Sequence, residues 1–301
     1  MRTKTERVRT RFTSGDIECA AWHYPGTNGA CVVMAPGGAV DKEPGTDPFA
    51  RRFHDAGFTV LAFDFRRFGE SGGQPRQLVR MREQRADFEA AIAHAATLPE
   101  VTGRIAIWGF SLAGGHVVRI AARHPGIAAA IAQTPLVDGP RSAARASRHQ
   151  RPLAMLRFLG LGLLDALGGI VGRAPILVPL AGAPGTVAML TTPDGLDGDR
   201  ALNPGNRYPD WLQAIAARSG IRISLYRPGR YASAVAGPLL VLVADQDRTA
   251  PPEFALRVAH SASHAELARV PGGHYAPFLD AHEQAVEAEL VFLRGHLLSD
   301  G

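Results

Sequence analysis

The stretch IAIWGFSLAGGH (residues 105–116) decides how the rest of this chain is read. A short apolar run leads directly into Ser111, and Leu112-Ala113-Gly114-Gly115 follows with the makings of a helix. A strand, a sharp turn carrying serine and a helix is the layout of a nucleophile elbow, usually written G-x-S-x-G. Here the last position is Ala113, while a letter-perfect match stands at Gly69-Glu70-Ser71-Gly72-Gly73. Context outranks the letters. Ser71 lies several residues past its strand and is followed by Gly72-Gly73-Gln74-Pro75, a coil sequence that cannot open a helix. Ser111 has the strand before it and the helix after it, and the residues two before and two after it are small.

Outward from this point, strands and helices alternate. RVRTRFTS and IECAAWHYP, joined at Gly15-Asp16, read as a hairpin whose first arm is an edge strand. ACVVMAP (30–36) and FTVLAFDF (58–65) are nearly pure apolar runs, as expected of strands buried on both faces. DPFARRFHDAG (47–57) and LVRMREQRADFEAAIAHAATLP (78–99) have helical spacing, and IAAAIAQTP (127–135) is a further strand. The alternation breaks from 139 to 236, a stretch rich in Pro, Gly and Leu with apolar helical segments near 152–172 and 209–218. It resumes with GPLLVLVAD (237–245), a helix opened by Pro251-Pro252, the strand AELARVPGG (265–273) and a last helix over 281–298. The expected class is therefore α/β: a mostly parallel central sheet with helices on both faces, and a helical lid inserted before the last two strands. Residues 1–138 and 237–301 are expected to form the core, and 139–236 the lid.

Composition limits the partners. The 301 residues are 46% hydrophobic and 20% charged, with a formal charge of +5 carried almost wholly by arginine. The arginines are interleaved with acids and form no run with aromatic residues, so nucleic acid is not expected. Arg141, Arg145, Arg148 and Arg151 fall at helical spacing and read first as a solvated basic face, second as a site for an acidic group. Cys19 and Cys31 lie in apolar strands and make no disulfide framework. The start, MRTKTERVRTRF, lacks the apolar region of a secretory signal. The most apolar segment, 152–172, is interrupted by Arg157, Asp165 and several glycines. A cytoplasmic protein without a membrane partner is the expectation, with its oligomeric state open.

A serine needs a base, and the base an acid that fixes its tautomer. In this fold class the chain order is Ser, acid, His. Asp245 and Asp247 follow a buried strand in LLVLVADQDRTAPPE. Asp247, deeper in the loop and just before a helix start, is preferred; Asp245 is expected to serve the strand end, and Asp138 in TPLVDG, which also follows a strand, stands as a third candidate acid beside its reading as a turn or lid-hinge residue. Of 11 histidines, His274 in VPGGHYAPF alone follows the last strand and a Gly-Gly pair. His260 and His264 have the i, i+4 spacing of metal ligands without an acidic third partner. An oxyanion would be held by the N–H of Leu112 and one from the loop MAPGGAV, where Gly38 is the candidate.

With these residues assembled, the chain resembles the α/β-hydrolase superfamily over nearly its whole length, in particular lidded bacterial esterases similar to dienelactone hydrolases and acyl-peptidase-like hydrolases. The likeness rests on PFARRFHDAGFTVLAFDFRRFGESGG, LPEVTGRIAIWGFSLAGGH, QTPLVDG and PGGHYAPF. It accounts for the decoy, since DFRRFGESGG is similar to that family's structural D-x-R-x-x-G-x-S loop. It implies Ser111, His274 and Asp247 as a triad with no metal or organic cofactor. Two departures stand out: Pro36-Gly37 where the family often has His-Gly, and Ala113. The expected activity is hydrolysis of a carboxylic ester, thioester or lactone of a small-to-medium apolar molecule. Two other readings stand beside it. One is a tailoring enzyme that uses the pocket for elimination or cyclisation; the other is a non-catalytic ligand-binding protein on the same fold.

Overall fold

Every residue of Cys31–Ala35 (β3), Thr59–Phe63 (β4) and Leu239–Ala244 (β9) is buried, and of Ile105–Phe110 (β5) all but Ile105. Apolar runs of this kind can satisfy their backbone only in the middle of a sheet covered on both faces. The computed structural model describes residues 7–298 and shows such a sheet. The first six residues of the N-terminal stretch lie outside it. Together with Val8–Ser14 (β1), Ile17–Tyr24 (β2), Ala129–Gln133 (β6) and Ala265–Val270 (β10), these strands form an eight-stranded sheet in the order β1-β2-β4-β3-β5-β6-β9-β10. The β1–β2 hairpin and the β2–β4 pairing are antiparallel; every other pairing is parallel. Strand β1 sits at the edge, as its alternating sequence predicts.

Helices α1 (Lys42–Asp55) and α9 (His282–Leu297) pack on one face, and α2 (Met81–Ala95), α3 (Leu112–Ala121) and α8 (Pro252–Ser261) on the other. Trp108 fixes α9 to the centre of the sheet, its Nε1 donating at 3.1 Å to the carboxyl of buried Glu289. Burial pushes the pKa of that carboxyl well above the usual carboxylate range, against the Trp108 hydrogen bond that lowers it. Both cysteines are buried and free.

The strand order reverses at β3, whose neighbours are β4 on one side and β5 on the other. The connections leaving β3 and β5 therefore diverge, opening a crevice at their carboxyl ends where open α/β sheets hold ligands. Between β6 and β9 the chain leaves the sheet through Gly139–Ala146 (α4), a 3₁₀ turn at Ser147–His149, Pro152–Ile170 (α5), Leu177–Pro179 (β7), Gly198–Leu202 (α6), Ala214–Ala216 (β8) and Ala217–Ser224 (α7).

Two details depart from the sequence reading. The segment 209–218 is not a helix: Ala214–Ala216 pairs antiparallel with Leu177–Pro179, and α7 begins only at Ala217. Arg141, Arg145, Arg148 and Arg151 do not share a helix, because α4 ends at Ala146 and Pro152 pushes Arg151 into an extended conformation (φ −75°, ψ 136°).

Candidate active site

Ser111 links β5 to α3 with φ 57° and ψ −115°, a left-handed backbone that L side chains adopt only under constraint. The constraint comes from both sides. Ser111 N donates to Gln133 O at 2.9 Å, and Ser111 O accepts from Leu136 N at 2.9 Å. The turn is tight enough that a Cβ on Gly109 would lie 2.5 Å from Ala113 O, and one on Gly115 would collide with Leu136 O. The close approaches thus fall at 109, 114 and 115, a Cβ on Gly114 meeting Pro135 Cβ at 2.9 Å. Position 113 is fully buried and accommodates its methyl group, so the turn does not require glycine there.

His274 bridges the serine and an acid. Its Nε2 lies 2.9 Å from Ser111 Oγ, and its Nδ1 2.7 Å from Asp247 Oδ2. Asp247 Oδ1 accepts Ala250 N at 2.6 Å, so both carboxylate oxygens are engaged in a buried setting. Phe110 packs its ring 5.1 Å from that of His274 and limits its rotation. The other acids lie elsewhere. Asp245 pairs with Arg269 at the strand end, Nε–Oδ1 2.9 Å. Asp138 caps α4, accepting Arg141 N at 3.3 Å. Ser71, the decoy, is buried with its Oγ donating to Asp64 O at 2.7 Å and accepting from Ala20 N at 2.8 Å. His116, which closes the quoted stretch, is buried between Tyr226 Oη and Gln84 Oε1, and burial pulls its pKa down to about 3.

A residue the sequence reading missed completes the arrangement. Asp194, from the segment inserted between β6 and β9, accepts the backbone N–H of His274 at 3.1 Å, of Arg248 at 2.6 Å and of Thr249 at 3.3 Å, all on Oδ2. Its Oδ1 takes the Thr249 hydroxyl at 3.1 Å. Nothing in TTPDGLDGD distinguishes this aspartate from a turn residue, because its partners lie more than fifty residues away. Burial would raise Asp194, but the charge of His274 and the backbone donors override it and hold the carboxyl below its usual range. Burial alone would depress His274. Asp247, and Asp194 behind it, more than offset that, so the imidazole sits above the ordinary 6.5.

Gly38 and Leu112 flank the serine along the same cavity wall. Leu112 opens α3, so its N–H has no partner inside the helix. The loop bearing Gly38 lacks the histidine often found there, but it is braced otherwise. Trp211 Nε1 donates to Ala39 O at 3.1 Å, and Asp64 accepts both the backbone N (2.6 Å) and the Nζ (2.7 Å) of Lys42 just beyond. That is the task of the D-x-R-x-x-G-x-S segment: its aspartate ties down the start of α1.

The cavity itself encloses about 280 Å³ above Ser111. Its walls include Leu136 and Phe110 from the sheet side and Met155, Phe158, Ile215 and Ile221 from the inserted segment. No Asp, Glu, Lys or Arg lines it among the described residues, and the four arginines from 141 to 151 stay outside it.

A sequence profile of the X-Pro dipeptidyl-peptidase (S15) family matches residues 6–164, just over half of the chain and including the elbow. The chain belongs to the S15 family. This S15 protein is an α/β-hydrolase enzyme, in agreement with the superfamily resemblance of its sequence. The quorum-quenching protein AidA of Acinetobacter baumannii (strain MDR-ZJ06) is 38% identical over 290 residues, covering 94% of this chain and 93% of AidA. The polyketide transferase grgF of Penicillium sp. is 25% identical, with 97% of both chains covered. The crystal structure of GrgF superposes with a TM-score of 0.79 at 23% identity over 98% of this chain and all of GrgF. DcsB in complex with its substrate analogue superposes at 0.81 and 20% identity, again over 98% of this chain and all of the other. At those identities the two structures speak for the fold alone.

Proposed function

We propose that this S15-family hydrolase is a serine hydrolase that cleaves a carboxylic ester, thioester or lactone of a small-to-medium apolar molecule. The observation that carries the reading is His274 held between Ser111 Oγ and Asp247 Oδ2 at 2.9 and 2.7 Å. Ser111 Oγ attacks the carbonyl carbon as His274 Nε2 takes its proton. Asp247 keeps Nδ1 protonated and stabilises the imidazolium. The N–H groups of Leu112 and Gly38 receive the oxyanion. His274 then returns the proton to the leaving oxygen or sulfur, leaving an acyl-serine. A water, deprotonated by the same imidazole, releases the acid and restores Ser111.

The cavity supports this substrate class. A volume of about 280 Å³ is at the small end of ligand pockets, and an uncharged apolar lining suits an acyl chain. The same lining argues against a peptide with a free N-terminus, whose ammonium would be buried without a carboxylate. Relatives named thiohydrolases, at 26–27% identity over somewhat more than half of this chain, support release of an acyl group from sulfur. Residues 139–236 act in this reading as a lid over a core of 1–138 and 237–301.

A second reading keeps the residues and changes the acceptor. The kinship with a polyketide transferase along 97% of the chain favours delivery of the acyl group to a nucleophile other than water, as in natural-product tailoring. Both are tested by comparing wild type with Ser111→Ala on short p-nitrophenyl esters, acyl thioesters and lactones, and with a fluorophosphonate probe. Wild type is labelled and the variant is not. Equal labelling of both overturns the assignment of Ser111. Free acid as the product selects hydrolysis, and an acceptor adduct selects transfer.

A further inference from the structure

Helix α5 is built the wrong way round for a water-soluble protein. Its inner face is narrow: Ala154, Gly162 and Asp165 are buried, with Phe158 packed beside them. This face fastens α5 to α7, since Asp165 accepts Arg218 N and Ile176 N, each at 2.9 Å, and Arg218 Nη1 donates back to Asp165 O at 3.1 Å. The opposite face is apolar and turned to solvent. Leu153, Leu156, Leu163, Leu164, Leu167 and Ile170 are each between 59% and 80% exposed. At 19 residues and about 1.5 Å per residue the helix is roughly 28 Å long, and by length and composition it could cross a membrane. Spanning would require it to abandon Asp165 and Arg218, so an embedded position flat against a surface is the arrangement its contacts allow.

Charge says what the surface is. Between Gly139 and Thr192 there are six arginines and one acid, the buried Asp165, so this segment alone carries a formal +5, equal to the charge of the whole chain. Arg148, Arg151, Arg157 and Arg173 are exposed, and among the described residues none of them has an ion-pair partner. At about 100° per residue, Arg157 falls at the margin of the apolar face rather than in its middle. The two residues that interrupt this stretch in the sequence, Arg157 and Asp165, therefore do not interrupt the exposed surface. An apolar helical face rimmed by cations, with no exposed carboxylate, is complementary to an anionic lipid bilayer. A second copy of the chain, paired through α5, would bring two arginine rims together.

We propose that α5 docks this enzyme on the surface of an anionic phospholipid membrane. Its leucines enter the outer acyl region and its arginines rest among the phosphates. This proposal departs from the expectation of a protein without a membrane partner. Met155 and Leu159 are exposed on α5 and also line the cavity, so its mouth opens beside the docked face and an apolar substrate can pass from lipid to cavity without crossing water. Docking does not depend on the reading of Ser111, and Ser111→Ala is expected to dock like wild type.

The test is co-sedimentation with vesicles of phosphatidylglycerol and phosphatidylcholine in equal parts, against phosphatidylcholine alone, with sedimentation velocity for the state of association. Wild type is expected to pellet with the anionic vesicles at least tenfold more tightly than with neutral ones, and to be released by high salt. Leu156→Gln/Leu163→Gln/Leu167→Gln, outside the cavity lining, is expected to lose at least tenfold in binding while hydrolysing a soluble ester at the wild-type rate. Replacing Arg148, Arg151 and Arg157 with glutamine should weaken binding about fivefold for each. Wild type remaining in the supernatant with anionic vesicles at low salt overturns the proposal. So does a triple leucine variant that pellets like wild type. A wild-type dimer that the leucine substitutions convert to monomer also overturns it, and assigns the face to self-association.

Discussion

Asp194 Oδ2 accepts the backbone N–H of His274 at 3.1 Å, across 80 residues of chain. The same oxygen gathers Arg248 N and Thr249 N, which follow Asp247 directly. One carboxylate from the inserted segment thus ties together the two loops that present the proposed base, His274, and its proposed acid, Asp247.

Removing that charge should move the pH dependence. In the proposed mechanism His274 must be unprotonated to accept the serine proton, so kcat/KM is expected to rise with pH through the His274 pKa, which is raised above its ordinary value. The anionic neighbours favour the imidazolium, and losing one of them lowers the pKa. Asp194→Asn, which keeps an acceptor oxygen, is therefore expected to shift the rising limb to lower pH. Asp194→Ala also leaves the buried His274 N–H without an acceptor and should cost about 1–3 kcal/mol of stability. A pH–rate profile for each variant checks this, and a limb that stays where it is in Asp194→Asn refutes the electrostatic role.

Two serines should separate stability from chemistry. Ser71→Ala deletes a donor to Asp64 O and an acceptor for Ala20 N, both buried, and is expected to lose about 2–3 kcal/mol while kcat/KM is unchanged below the melting transition. Ser111→Ala should do the reverse, abolishing turnover with little loss of stability. Denaturant titration beside ester kinetics reads both quantities on the same samples.

The elbow makes a third comparison. Gly115→Ala drives a Cβ into the Leu136 carbonyl, and Gly109→Ala into that of Ala113. Overpacking against backbone costs about 1–3 kcal/mol and displaces the Ser111 turn, so both should lower kcat and the thermal midpoint together. Ala113→Gly restores the letters of the motif but adds helix entropy, and is expected to be destabilised by about 1 kcal/mol with no gain in rate.

The sheet was legible because its strands are apolar runs closed by glycine or proline, a local signal. The elbow was legible because strand, serine and helix are contiguous. His274 and Asp247 could be found by chain order and by loops that follow buried strands. What escaped notice was long-range or short-lived. Asp194 acts on loops beginning at 247 and 272, and no local pattern encodes that. Ala214–Ala216 is a three-residue strand paired with the equally short Leu177–Pro179, too short to impose a period of two. The broken arginine stripe did have a signal, Pro152, which forbids helical continuation from Arg151. The exposure of α5 had none. A leucine-rich helix reads the same whether its broad face meets a core or a lipid surface.

The bond between Ser111 and His274 closes over 163 residues, and its second partner lies beyond the last strand of the sheet. At a synthesis rate of about 5–20 residues per second, the elbow leaves the ribosome roughly 8–33 s before its imidazole. Throughout that interval the proposed nucleophile is an ordinary alcohol. A nascent chain whose synthesis has not yet reached His274 therefore lacks the imidazole that would activate Ser111, and cannot use that serine on an acyl group it meets.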